Sequence, residues 1–292
     1  LLTAMNQTTM RQASTTHRTD IHSGVRSVTG VLQQEISQAG RIAFPTVPNP
    51  NQTTTMNVAV VGASPDTPVT IIGVGVADPT FLFNNMHLII DIGDNEEIVT
   101  ATNWNGTTFT GTFENDHAIN ALVRPAGAFA EGILGNSTGT VLKLFGDINA
   151  DGNMRYIEYT CDTVNGFFYR NDMAWDTDVA AKPAVNASMI LLSNLLPNPN
   201  DLLTGLPVPC FTYQRETRTV DGIAYNFTLN VGVTLTANPQ SPDLQTRRRD
   251  PETKALLNVS PRNVFQAWQL AGIPGANLHV QPTPPKITLL SQ

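Results

Sequence analysis

Pro45, Pro48 and Pro50 divide the chain into two parts with different periodicities. Proline removes a backbone donor and clashes with the turn before it, so no helix continues through this triplet. Ahead of it lies a proline-free segment, residues 1 to 40. Within that segment Val25, Val28, Leu32, Ile36 and Ala39 recur at steps of three and four, one face of a helix. Gly40 supplies a C-terminal stop, and the prolines after it enforce the break. Gly24 and Gly30 weaken such a helix by about 1 kcal/mol each relative to Ala. A helix over residues 1–43 would reach roughly 60 Å at the usual rise per residue, and its stripe would need a partner of similar length.

Beyond Pro45 the dominant period is two. The runs at 56–62, 69–76, 86–93, 96–104, 107–113, 140–147, 154–161 and 166–171 are strand-like, as is a run near 256–265. The clearest alternation is Tyr225, Phe227, Leu229, Val231, Val233 and Leu235. Asn105-Gly106 and Asn165-Gly166 have hairpin-turn composition. The fold class that follows is α+β, with a long N-terminal α-helix ahead of a β-rich antiparallel head. In domain terms this is a helix over 1–43, a head over 44–270 in which 77–135 reads as an inserted β module, and a Pro-rich extended tail over 271–292.

Composition narrows the function. Charged residues make up 14% of the 292 residues and the formal net charge is −7, so there is no basic stripe to replace phosphate counterions and nucleic acid is not an expected partner. The run Arg247-Arg248-Arg249 is followed by acidic residues and reads as a solvated loop. No apolar stretch is long enough to span a bilayer. The start at Leu1 reads as a chain from which a leading segment has been removed. Cys161 and Cys210 lack metal-cage spacing, which leaves either a disulfide in an exported protein or two separate buried thiols. Scarce Lys and Arg, and Asn-x-Ser/Thr at Asn51, Asn105, Asn136, Asn186 and Asn226, give an extracellular flavour.

The stretch GDINADGNMRYIEY, 146–159, matches the ligand spacing of a helix-flanked calcium loop, with Asp147, Asn149, Asp151, Gly152 and Glu158 in register. Its flanks are strand patterns. In a strand Glu158 is carried about 20 Å from Asp151, and Arg155 stands where an oxygen ligand belongs. What survives is Asp147, Asn149 and Asp151 in a turn that reads first as capping local backbone N–H groups, with a loop-type calcium site as the alternative; no other cofactor is expected. No catalytic set emerges. His17, His22, His87, His117 and His279 are scattered without paired spacing, and Gly73-x-Gly75 lacks the third glycine and the helix of a phosphate cradle. The turn carboxylates Asp91, Asp94, Glu96 and Glu97 read as solvated. An enzyme is not expected. Phe167, Phe168, Tyr169, Trp175, Phe211 and Tyr213 suit a core or sheet face better than a ligand groove.

The order of these segments resembles the type IV pilin and type II secretion pseudopilin superfamily. VRSVTGVLQQEISQAGRIAFP (25–45) is similar to the helix end of PilW-like minor pilins. LKLFGDINADGNMRYIEYTCDTVNGFFYRN (142–171) is similar to their strand–turn–strand–turn–strand unit. PCFTYQ (209–214), NVGVTLTA (230–237) and NVSPRN (258–263) resemble their closing strands. The family's Gly-Phe-Thr-Leu-x-Glu processing site is expected ahead of Leu1, while the 77–135 run and the C-terminal tail depart from the pattern. The resemblance implies a pilin-like structural subunit of an extracellular filament, exported across the inner membrane. Its partners would be other pilin subunits, packed through the face Val25, Val28, Leu32, Ile36 and Ala39, and before assembly the membrane through a preceding segment. Its head would serve adhesion or assembly initiation. The rival readings are a phage or virus structural protein and a calcium-dependent surface adhesin.

Overall fold

A computed structural model describes residues 24–42, 54–62, 69–77, 82–220, 222–238, 252–274 and 277–292. The first helix, α1, covers 24–38. A long N-terminal helix preceding a separate head is therefore not what the described residues form, and the part of that expectation on 1–23 lies outside them. Four turns are as far as the stripe reaches. Val25, Val28, Leu32, Ile36 and Ala39 are all buried, and Gly40, at φ +81°, reverses the chain. The exit is stitched at once: Gly40 N–H donates to Phe145 O (2.9 Å), Phe129 N–H to Gly40 O (3.0 Å) and Asp147 N–H to Arg41 O (2.8 Å). Gly132 lies backbone to backbone against Gly40, leaving no room for a Cβ at either position.

The strands are β1 (Thr54–Thr55), β2 (Val69–Gly75), β3 (Met86–Ile90), β4 (Glu97–Ala101), β5 (Thr108–Phe113), β6 (Leu122–Pro125), β7 (Ala128–Phe129), β8 (Val141–Gly146), β9 (Arg155–Asp162), β10 (Phe167–Ala174), β11 (Ile190–Ser193), β12 (Leu195–Leu196), β13 (Phe211–Val220), β14 (Ile223–Ala237), β15 (Glu252–Val259) and β16 (Val280–Gln281). Two short helices close the chain, α2 (Arg262–Leu270) and α3 (Pro285–Leu290). Strands β8 to β11 form an antiparallel meander, and β14 runs between β13 and β15 with β12 at the end of its length. A third sheet, β1-β6-β3-β4, and the ribbon β2-β5 build the region expected to be an insertion.

That region starts earlier than residue 77, because β1 pairs with β6 and β2 with β5. It also lacks a core of its own. Leu88, Val99, Phe109 and Phe113 belong to one buried cluster with Phe145, Tyr156, Trp175, Ile287 and Leu290. The second cluster joins the α1 stripe to Leu142, Leu144, Ile157 and Phe168 of the meander and to Val231, Val233 and Leu235 of β14. The period-two alternation of β14 is thus one face of a strand packed on the chain's own helix layer. The run at 256–265 divides at Pro261: β15 ends at Val259 and α2 begins at Arg262. Val264 and Ala267, three apart, turn this helix onto Tyr225, Phe227 and Leu229.

The C-terminal segment is anchored rather than extended and loose. Gln281, fully buried, donates through Nε2 to His87 O and Ala126 O (2.6 Å each) and accepts from His87 N–H through Oε1 (2.9 Å). One amide side chain thus bonds three backbone groups of the two segments beside it. Lys143 Nζ caps Ser291 O and Lys182 Nζ caps Leu290 O at the end of α3. Cys161 and Cys210 form a disulfide, Cα to Cα 6.5 Å, between β9 and the start of β13. Its loop of 49 residues predicts that the double substitution Cys161→Ala/Cys210→Ala lowers unfolding free energy by about 4 kcal/mol, as loop-closure entropy for that length requires. Urea denaturation with and without reductant measures this.

Candidate functional site

Three polar clusters stand out because each places charge where the fold excludes water. The first is in the helix–meander interface. Glu35 lies on α1 beside Ile36 and is buried. Tyr159 Oη donates to Glu35 Oε2 at 2.5 Å, and Arg170 reaches Oε1 through both Nη2 (2.8 Å) and Nε (3.0 Å). Arg170 Nη1 also donates to Asp172 Oδ2 at 3.0 Å. Tyr159 and Arg170 are register partners on β9 and β10, so the meander presents both groups at one height for Glu35 to receive. Burial raises the Tyr159 hydroxyl well above its ordinary range, and the adjacent Glu35 carboxylate adds to it. Burial also works against the Arg170 charge, but Glu35 outweighs it and holds the guanidinium above its usual value. Glu35 accepts from both Tyr159 and Arg170, and Asp172 completes the set around the guanidinium. Its work is positional.

The second cluster contains the residues with calcium-loop spacing. Asp147 follows β8 and is wholly buried, and Asp151 N–H donates to its Oδ1 at 3.0 Å. Asn153 N–H donates to Asp151 Oδ1 at 2.8 Å. Ala150 and Gly152 both take positive φ, so the loop is a tight reversal between two strands. Glu158 stands in β9 opposite Lys143 and accepts from Tyr156 Oη and Lys182 Nζ, away from the loop. On the other side of Asp147, Arg41 Nε is 3.3 Å from Oδ2. Burial raises the Asp147 carboxyl above its ordinary value, with Arg41 opposing. The guanidinium lies beside the buried carboxylate, and Asn149 and Asp151 are exposed turn residues.

The third cluster is around His117, whose side chain is buried. Its Nδ1 is 3.3 Å from Asp91 Oδ2 and its Nε2 2.7 Å from Glu97 Oε1. Glu97 also accepts from Glu114 N–H and Asn115 N–H at 2.8 and 2.9 Å. The carboxylates of Asp91 and Glu97, expected to be solvated, thus clamp the 114–117 loop, while Glu96 pairs with Arg124. They approach the ring from opposite sides, so the three do not converge on a point. Among the described residues no group of three or more His, Cys, Asp and Glu is arranged to hold a metal ion. His87 and His279 lie apart from this cluster, and His17 and His22 are outside the described residues.

The five helix-face residues expected to pack against neighbouring subunits are turned inward. Val28, Leu32, Ile36 and Ala39 share one cluster with the two sheets, and Val25 is equally buried. A stripe pattern reports that a face is covered, not by what. The aromatic set disperses as well: Phe168 and Phe211 are core, Trp175 is buried in the other cluster, and Tyr213 donates to Thr138 O at 2.8 Å. The residues sequence reasoning passed over are Glu35, Arg170, Arg41 and Gln281. Glu35 had a visible signal, since it sits three after Leu32 and one before Ile36, on the flank of the stripe.

No protein-family model, curated protein or solved structure matches the chain.

Two outcomes follow. Glu35→Gln leaves Arg170 part-buried without its main partner and should cost about 3 kcal/mol, whereas exposed Gln34→Ala should stay within about 0.5 kcal/mol; both are read from urea melts. Excess calcium, or EDTA, should move Tm by no more than about 1 °C. A cation held 100-fold above its Kd would add about 2.7 kcal/mol and raise Tm by several degrees.

Proposed function

We propose that this chain is a structural subunit of an extracellular filament of the type IV pilus or type II secretion kind, with other subunits as its partners. The observation that carries this reading is the seating of α1 along an antiparallel meander that is itself cross-linked to the neighbouring sheet by Cys161–Cys210. A disulfide persists in oxidising compartments, which suits a surface location and export across the inner membrane. The three charged clusters spend their groups on holding helix, loop and turn in place, which suits a building block that must be stiff rather than a catalyst. The β1–β6 region, on a core shared with the rest of the head, would be displayed outward for adhesion or assembly initiation. The reading does not need a long helix. Because the α1 stripe is spent on the chain's own sheets, contacts between subunits fall to other surfaces.

Localisation tests it. Antibody raised to the recombinant chain should decorate filaments in immunogold micrographs of the source cells, and the chain should appear in the fraction released by shearing. Recovery only from the cytosol, or from virus particles, overturns the reading.

A further inference from the structure

The chain contains two Asn-Gly pairs, Asn105-Gly106 and Asn165-Gly166, each on a turn between successive strands. In such a pair the glycine amide nitrogen can attack the preceding side-chain amide carbon through a five-membered ring, an intramolecular step that a residue without Cβ leaves unhindered. Both asparagines are exposed, so neither sequence nor exposure tells the pairs apart. Their hydrogen bonds do. On the turn between β9 and β10, Gly166 N–H donates to Asp162 O (2.9 Å) and Leu195 N–H donates to Gly166 O (3.0 Å). Asn165 N–H donates to Asp162 Oδ1 (2.9 Å) and Asn165 Nδ2 to Asp162 Oδ2 (2.7 Å). The attacking nitrogen, the side chain it would attack and the peptide unit after it are all held.

The turn between β4 and β5 is built the other way round. Among the described residues no group accepts from Gly106 N–H, and a Cβ placed on Gly106, at φ +97°, would meet nothing within 4 Å. The nitrogen is free and the space around it is open. The target is held toward the following residues: Asn105 Oδ1 accepts from Thr107 N–H (3.0 Å), Thr107 Oγ1 (3.0 Å) and Thr108 N–H (2.9 Å), and Nδ2 donates to Thr108 Oγ1 (3.0 Å). Three donors on one carbonyl oxygen draw charge from Cγ, and they stand where negative charge collects as that carbon becomes tetrahedral. Behind the tip, Thr102 and Thr110 exchange both backbone bonds (2.9 and 2.7 Å), which fixes the ends of the turn independently of what happens at residue 105.

We propose that Asn105 is a site of spontaneous deamidation in the folded chain, promoted by the Thr107 and Thr108 donors, and that the fold shields Asn165 from the same reaction. The Gly106 nitrogen bonds to Asn105 Cγ while its proton passes to water. The Cγ–Nδ2 bond then breaks, and ammonia leaves with a proton taken from water. Water opens the resulting succinimide at either carbonyl, giving aspartate or isoaspartate at position 105. The net exchange is one water for one ammonia, with no oxidant, reductant or cofactor. Each event adds one negative charge to a chain of net charge −7, at a turn with room to absorb a lengthened main chain. In a chain that is not replaced after synthesis the converted fraction grows with time, so this turn records age. The chemistry is the same whether or not the chain enters a filament.

Peptide mass mapping tests it. The folded, disulfide-intact chain is held in mildly alkaline buffer beside a sample unfolded in guanidinium with its disulfide reduced, and both asparagines are followed over time. Unfolded, the two pairs should convert at comparable rates. Folded, Asn165 should fall on the order of tenfold behind Asn105, the factor expected from one hydrogen bond that must open before attack. Thr107→Val keeps the side-chain shape, removes the hydroxyl donor from an exposed position, and should slow conversion at Asn105 while leaving Asn165 unchanged. Asn105→Ala should abolish the acidic form that accumulates on anion exchange. Equal rates at the two sites in the folded chain, or Asn165 ahead of Asn105, overturn the assignment. Faster conversion in Thr107→Val overturns the promoting role of the turn donors.

Discussion

The Glu35 carboxylate is the point on which the helix layer depends. A helix of four turns is marginal in isolation, and its stripe alone would tolerate rotation or sliding against a flat sheet. Tyr159 and Arg170 remove that freedom, because a bidentate guanidinium and a phenol accept one position of one carboxylate. With α1 fixed, Gly40 arrives at Phe145 and Arg41 at Asp147, so the chain leaves the helix already in contact with β8. Buried ion pairs are not strong sources of net stability, since desolvation offsets most of the attraction. Their value here is register. The apolar stripe provides the driving force and Glu35 decides where it acts.

Charge is used in the same manner elsewhere. Arg41 neutralises Asp147 in a loop that, read as a string of residues, suggests calcium. His117 takes up two carboxylates that would otherwise face each other across a loop. Lys143 and Lys182 cap the carbonyls at the end of α3, and burial holds the Lys143 ammonium below its ordinary value despite the nearby Glu158. A chain poor in charged residues has placed a good share of them at junctions between elements.

Local pattern was legible where one periodicity served one partner. The stripe from Val25 to Ala39, the alternation of β14, the turns at Gly106 and Gly166 and the separation of Glu158 from the Asp147 loop could all be read from spacing. What spacing does not contain is the identity of the covering surface. The stripe predicts burial equally well against neighbouring subunits or against the chain's own sheets, and extending it to a 40-residue helix went beyond the residues that carry it. The pairing of Arg41 with Asp147, of Arg170 with Glu35 and of Gln281 with His87 spans separations that no local rule reaches.

The mixed ancestry of the larger apolar cluster has a consequence for portability. Phe109 and Phe113 come from the β1–β6 region, Phe145 and Tyr156 from the meander, and Ile287 and Leu290 from the last helix. A segment that owned its core could be excised, exchanged or fused elsewhere with its shape intact. Here a transplant of residues 54–125 would carry one wall of a room whose other walls stay behind. Substitutions that leave the shared core intact are those at the exposed rims of its loops.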